Sequence, residues 1–151
     1  MAWTQQNRMG GHPTARPAQD AACRGTGGGV ARPVTTLIIR NIPCHMKMEQ
    51  LVDIVDGLGF RRSYDLIYVV KTRQVVGLRV PNLGYGFINF LDPASAQAFI
   101  TAFEGYTFPE TNSAKRGKAQ PARIQGFMNC LHQIRRSMCG GPLTGAITVS
   151  V

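Results

Sequence analysis

Leu83-Gly84-Tyr85-Gly86-Phe87-Ile88-Asn89-Phe90 is the stretch whose reading decides the fold of this chain. It is a run of aromatic and branched residues set between small ones, the pattern of a β-strand. Side chains on a strand alternate between its two faces, so Tyr85, Phe87 and Asn89 share one face while Ile88 and Phe90 share the other. With Ile88 and Phe90 on the core, the two glycines keep that side clear for close packing. Tyr85 and Phe87 then point to the opposite face, and what the rest of the chain places there becomes the central question.

The elements on either side answer it in outline. Upstream, Thr35-Thr36-Leu37-Ile38-Ile39-Arg40 is a β-branched run closed by Asn41-Ile42-Pro43, and reads as a first strand. Met48, Leu51, Ile54, Val55 and Leu58 follow helical spacing up to Gly57 and Gly59. Asp65-Leu66-Ile67-Tyr68-Val69-Val70 is the second strand. Downstream, Asp92-Pro93 opens a helix, since Asp can cap free N–H groups and Pro at the first position has no N–H to leave unpaired. Ala96, Phe99, Ile100 and Phe103 form its apolar face and Gly105 ends it. Residues 119–125 offer a last short strand, with Pro121 placing it at an edge. The order β-α-β-β-α-β predicts an α+β, ferredoxin-like sandwich: a four-stranded antiparallel sheet with two helices behind it.

Such a sheet has one face on the core and one open, and it occupies residues 34–138 once a C-terminal helix is included. That helix is read from Phe127, Leu131, Ile134 and Met138, an apolar stripe closed by Gly140-Gly141-Pro142. It packs at the domain edge or lies over the open face. Residues 1–33 carry six glycines, three prolines and four arginines against the single acid Asp20, and read as a flexible basic arm. Residues 139–151 form an apolar, β-prone tail, either free or added to a sheet edge.

The chain has 151 residues and a net charge of +9, which points to a polyanionic partner. No run of 18 apolar residues supports a membrane span and no apolar h-region follows the first residues, so the expectation is an intracellular protein of nucleus or cytoplasm with no membrane partner. Cys23, Cys44, Cys130 and Cys139 contain no Cys-x-x-Cys pair. Cys130 with His132 and Cys139 matches no common zinc spacing, so neither a metal site nor a cofactor is expected. His12, His45 and His132 are isolated, and no nucleophile, base and orienting group fall together. Arg40-Asn41 resembles half of an acylphosphatase site but lacks a Gly-rich cradle. A non-catalytic protein is the expectation.

The octamer 83–90 resembles that of an RNA-recognition motif, which reads basic, Gly, aromatic, Gly or Ala, Phe, Val, any, aromatic; only Leu83 departs, with Ile88 standing for Val. Leu37-Ile38-Ile39-Arg40-Asn41-Ile42 resembles the partner hexamer, with Ile38 in place of an aromatic. A narrower resemblance, over residues 35–137, is to the C-terminal RNA-recognition motif of the mei-two-like meiosis regulators. Thr36-Leu37-Ile38-Ile39-Arg40-Asn41-Ile42-Pro43, Tyr64-Asp65, Asn112-Ser113 and, most specifically, Ala122-Arg123-Ile124-Gln125-Gly126 carry it. Cys44-His45-Met46 departs from the Asn-Lys-Tyr-like segment usual there, and Phe108 from a common Trp. The resemblance implies a single-stranded RNA binder whose domain continues past Gly126, acting in post-transcriptional regulation.

In that reading Tyr85 and Phe87 are stacking platforms for unstacked bases. Arg40 and Ile38 lie on the same open face, with Asn89 beside them, and Arg40 can pair with phosphate or stack on a base. Tyr68 joins them if Ile67 and Val69 point into the core, and is buried if the register slips by one. Arg123 and Gln125 share a face of the last strand with Ile124 inward between them, and are the remaining candidates for RNA contact. Lys71, Arg73 and Arg79 in the loop before the third strand, Arg61-Arg62 and Lys115-Arg116-Gly117-Lys118 add long-range attraction. The alternative is a protein-interaction module of the same fold, with a protein partner on the sheet or on the C-terminal helix.

Overall fold

The computed structural model describes residues 31–73, 77, 78, 80–109, 111–140 and 143–149, with side chains described up to residue 138. The arm at residues 1–30 and Arg79 therefore lie outside the described residues. Strands β1 (Thr36–Arg40), β2 (Tyr64–Thr72), β3 (Asn82–Phe90), β4 (Tyr106–Thr107), β5 (Arg116–Pro121) and β6 (Leu143–Val149) alternate with helices α1 (Met48–Val55), α2 (Pro93–Phe103) and α3 (Phe127–Gly140). They form one sheet in the order β4-β5-β1-β3-β2-β6, and neighbouring strands are antiparallel. The central four strands, with α1 and α2 behind them, are the expected ferredoxin-like sandwich. The two-residue β4 and the C-terminal β6 extend it at the two edges, so the tail left open by the sequence does pair, along β2.

Helices α1 and α2 start for local reasons. In α2, Asp92 Oδ1 accepts from Ser95 N at 2.8 Å and Asp92 Oδ2 from Ser95 Oγ at 2.7 Å, with Pro93 at the first helical position. These Ser95 hydrogen bonds hold the Asp92 carboxyl below its usual value. In α1, Gln50 Oε1 accepts from Lys47 N at 2.9 Å. The chain then passes through a π-helical turn, Asp56–Phe60, where Gly59 adopts a φ of 95°.

The main core lies between the sheet and α1 and α2. Leu37, Ile39, Ile67, Ile88 and Phe90 from the strands meet Leu51, Val55, Phe99 and Phe103, all fully buried. Phe99, Phe103 and Tyr106 stack in sequence with centroids 5.1 and 5.3 Å apart. A second apolar cluster sits on the opposite face, where Leu66, Tyr68 and Val70 of β2 are covered by Cys130 and Ile134 of α3. The face expected to be open is thus roofed over β2.

The two glycines of the β3 motif have separate jobs. A Cβ on Gly86 would lie 2.6 Å from the Tyr68 carbonyl oxygen, so Gly86 permits the close approach of β2 and β3. Gly84 is needed for its φ of 81°, where the β2–β3 register shifts and Gly84 O accepts from Ile42 N at 2.9 Å. Gly86→Ala is therefore expected to lower unfolding stability by about 1–3 kcal/mol, because a backbone oxygen cannot yield as a side chain can. Chemical denaturation measures this, and an unchanged midpoint would contradict it.

Candidate nucleic-acid interface

Strand register places the candidate residues. Across β1 and β3, Thr36 faces Asn89, Ile38 faces Phe87 and Arg40 faces Tyr85. Across β2 and β3, Tyr68 faces Phe87 and Leu66 faces Asn89. Across β1 and β5, Arg40 faces Lys118 and Ile38 faces Gln120. All of these lie on the face away from α1 and α2, since Gly117 and Ala119 are the buried, core-facing residues of β5. Tyr68 is on the expected face with Ile67 and Val69 in the core, so the unslipped register holds.

Helix α3 divides that face in two. Over β2 it buries Tyr68 to 4% exposure. Burial first, and the neighbouring Tyr85 second, push the Tyr68 hydroxyl above its usual pKa, so it remains a protonated donor at neutral pH. Over β1 and β5 no described residue forms a roof: Arg40, Lys118 and Gln120 are exposed and Ile38 is half-buried. Tyr85 and Phe87 stand at the boundary, half-buried, their rings edge-to-face with centroids 6.1 Å apart. A crevice of about 260 Å³ opens beside them, between α3 and the sheet, with Tyr68, Ile134 and Ser137 in its walls and the exposed Arg123 and Gln133 among its lining.

Three expected contact residues have other surroundings. The last strand ends at Pro121, so Arg123 lies in a bend and Gln125 in the turn into α3. The strand stops there because Pro121 brings no N–H for a further rung. Gln125 points inward: its Oε1 accepts from Thr35 N at 3.0 Å and Thr36 N at 2.9 Å, and its Nε2 donates to Thr36 O at 2.9 Å and Ala122 O at 2.7 Å. Every polar atom of this side chain is thereby engaged within the fold. Asn89, although on the right face, is 3% exposed; its Oδ1 accepts from Thr36 Oγ1 at 2.7 Å and its Nδ2 donates to Asp65 Oδ1 at 2.8 Å.

Thr36 joins these groups to α3. Its hydroxyl accepts from Gly126 N at 2.9 Å and from the Cys130 thiol at 3.7 Å, at the start of the helix. Burial pushes the Cys130 thiol up, which keeps it in the protonated, donating form. The far end of α3 is tied too, where Arg73 Nη2 donates to Met138 O at 2.7 Å, a carbonyl of the last helical turn. Arg73, expected in a loop that attracts phosphate, here tethers the helix. The apolar side of α3 runs through Phe127, Cys130 and Ile134, while Met138 is 39% exposed, so the stripe is rotated from the one the sequence suggests.

Gln120 is not among the sequence candidates, and Lys118 enters there only as part of a run supplying long-range attraction. Alternation in Arg116-Gly117-Lys118-Ala119-Gln120 was the available signal: small residues at every second position leave polar ones on the other face. Among the described residues the one ion pair joins Arg61 to Asp56 at 3.9 Å, so Arg40, Arg116, Lys118 and Arg123 have no acidic partner. Strands β1, β3 and β5 contain no acid at all. No group of His, Cys, Asp and Glu among the described residues is arranged to hold a metal ion, and no helix among them is long and apolar enough to cross a membrane.

A βαββαβ sandwich with a Gly-Tyr-Gly-Phe β3 strand beside a basic, acid-free β1–β5 surface defines the RNA-recognition-motif fold class. The sequence model of the family described as RNA recognition motif 2 matches residues 34–135, and the chain belongs to that family. Relatives include Protein MEI2-like 3 of Oryza sativa subsp. japonica, 36% identical over 92 residues, and Meiosis protein mei2 of Schizosaccharomyces pombe, 31% identical over 103 residues. The matches cover 61% and 68% of this chain but 9% and 13% of those relatives, so the chain spans a small part of their length. Among solved structures, the chain is similar to the Rna15 RRM with bound RNA (GU), with a TM-score of 0.47 and 17% identity over 67% of this chain and 96% of that one.

The Gln125 clamp gives a direct expectation. Gln125→Ala leaves two partly buried backbone donors and a carbonyl without their partners, which is expected to cost about 2–4 kcal/mol. Amide exchange should quicken first at Thr35, Thr36 and Gly126, ahead of the β1–β3 ladder. Wild-type exchange at these three amides in the variant would contradict the assignment.

Proposed function

We propose that this domain binds single-stranded RNA on the unroofed half of its sheet and acts without catalysis, as a module in post-transcriptional regulation. The observation that carries the reading is the juxtaposition on one surface of Tyr85, Phe87 and Ile38 with the unpaired cations Arg40 and Lys118. Two half-exposed aromatic rings offer π-faces to unstacked bases, worth about 1–3 kcal/mol per base. Arg40 and Lys118, side by side on adjacent strands, supply charge where a phosphate backbone crossing the sheet would run. Arg116 and Arg123 extend the basic surface. The family description, RNA recognition motif 2, agrees with this reading.

Ile38 gives the β1 position bulk without a π-face, so stacking concentrates on β3. Gln120 offers amide donors and an acceptor beside it. Asn89 and Gln125 contribute indirectly, by holding the surface in shape. An intracellular setting in nucleus or cytoplasm follows from an RNA partner.

Binding of fluorescein-labelled single-stranded RNA octamers, followed by anisotropy across a salt series, tests the proposal. Wild type should bind with affinity that falls as salt rises. Phe87→Ala should weaken binding by about 5- to 150-fold, the equivalent of one lost stacking contact. Arg40→Ala and Lys118→Ala should each flatten the log–log salt slope by about 0.7. Absence of salt-sensitive binding by wild type, or equal binding by Phe87→Ala, would overturn it in favour of a protein-interaction role for the sheet.

A further inference from the structure

We infer that the crevice beneath α3 is a base-selective subsite that takes one splayed-out nucleobase of the bound RNA, an inference that rests on the RNA-binding reading above. Its walls are mostly apolar, and Tyr85 and Phe87 belong both to the crevice and to the stacking surface, so the two sites are continuous. At about 260 Å³ it falls below the usual range of about 300–1,000 Å³ for small-molecule sites, room for one planar ring system and little more.

Tyr68 supplies the polar signal. It is 4% exposed and lines the crevice, yet among the described residues its hydroxyl makes no hydrogen bond. No buried polar side-chain atom among the described residues lacks a partner, so this unbonded hydroxyl is one that the crevice leaves accessible, a free donor and acceptor in its wall. A nucleobase meets such a hydroxyl with its edge while its faces lie against apolar and aromatic walls, which is how unstacked RNA bases are read. The other polar groups of the lining, Arg123, Gln133 and Ser137, offer donors and acceptors suited to a base edge, and no acid is among them.

The roof is fixed, which makes the crevice a standing feature of the domain. Gly126 and Cys130 tie one end of α3 to Thr36, Arg73 ties the other, and the chain then returns as β6 along β2. A base therefore has to enter from the side of Tyr85 and Phe87, the side the bound strand occupies in the proposed mode.

The test uses the full chain with uridine octamers carrying A, C or G at one position in turn. Wild type should prefer one base at one position by about fivefold or more. Tyr68→Phe, which removes only the hydroxyl, should erase most of that preference and leave the salt slope unchanged. Ser137→Trp, which fills the crevice from the roof, should weaken every octamer by about tenfold; its thermal melt reports whether it folds, and if it does not, Tyr68→Phe decides alone. Wild-type preference and affinity in the folded variants, alongside a weakened Phe87→Ala, would overturn the subsite and leave RNA binding on the sheet intact. A wild-type protein without base preference at any position would also overturn it. No RNA binding by wild type would overturn both.

Discussion

The Gln125 side chain acts as a peptide unit that the chain does not otherwise supply. Strand β5 pairs with β1 only as far as Pro121, opposite Leu37, and proline has no N–H for a further rung. Thr36 beyond it would keep its backbone N–H and C=O unpaired inside the domain, since the residue is fully buried. Ala122 N and the Gln125 amide take both places, accepting from Thr36 N and donating to Thr36 O at 2.9 Å. An amide side chain has the donor and acceptor geometry of a peptide group, so the ladder continues after the strand has turned away. The turn it forces at residues 122–126 is what aims α3 back across the sheet.

This constraint sets the division of the face. With its start fixed at Thr36, α3 lies over β2 and leaves β1 and β5 open. Strand β2 is accordingly apolar on both sides: Leu66-Ile67-Tyr68-Val69-Val70 is buried at every position. Strand β5 shows the opposite composition, with Arg116, Lys118 and Gln120 exposed between Gly117 and Ala119. A bare sheet of this fold would be uniform in accessibility; here β5 is the exposed side and the middle of β2 the buried one, with Arg40, Arg116 and Lys118 on the exposed side.

Much of this was legible in the residues. Alternation about Gly84 and Gly86 placed Tyr85 and Phe87 correctly, because a half-buried strand must keep period two. Asp92-Pro93 placed the α2 start, because capping chemistry is local. What failed was non-local. Residues 119–125 carry a strand-like composition, and nothing near them in sequence tells that Gln125 will meet Thr36, 89 residues earlier. The same distance hid the role of Asn89, whose neighbours on the face are decided by where α3 lands. One overlooked signal did bear on the roof: five consecutive apolar residues in β2 are more than a strand with one solvent face needs, and they imply cover on both sides. Cys130, a small apolar side chain at a position three after Phe127 and four before Ile134, shares their stripe in the structure.

The partition also limits what net charge can explain. Of the net excess of nine positive charges, residues 1–33 carry three, four arginines against Asp20, and Arg73 is engaged at the end of α3. The strands of the open surface contribute Arg40, Arg116 and Lys118, close together and without acids among them. Strands about 4.8 Å apart make β3-β1-β5 a strip on the order of 10–15 Å wide, the span of a few nucleotides of extended RNA. In the proposed mode a phosphate chain crossing such a strip meets cations at one edge and aromatic rings at the other. Charge alone would hold it in any register, since phosphate contacts carry no sequence information. In that mode the rings, and the closed wall of α3 behind them, would be the elements that distinguish one register from the next.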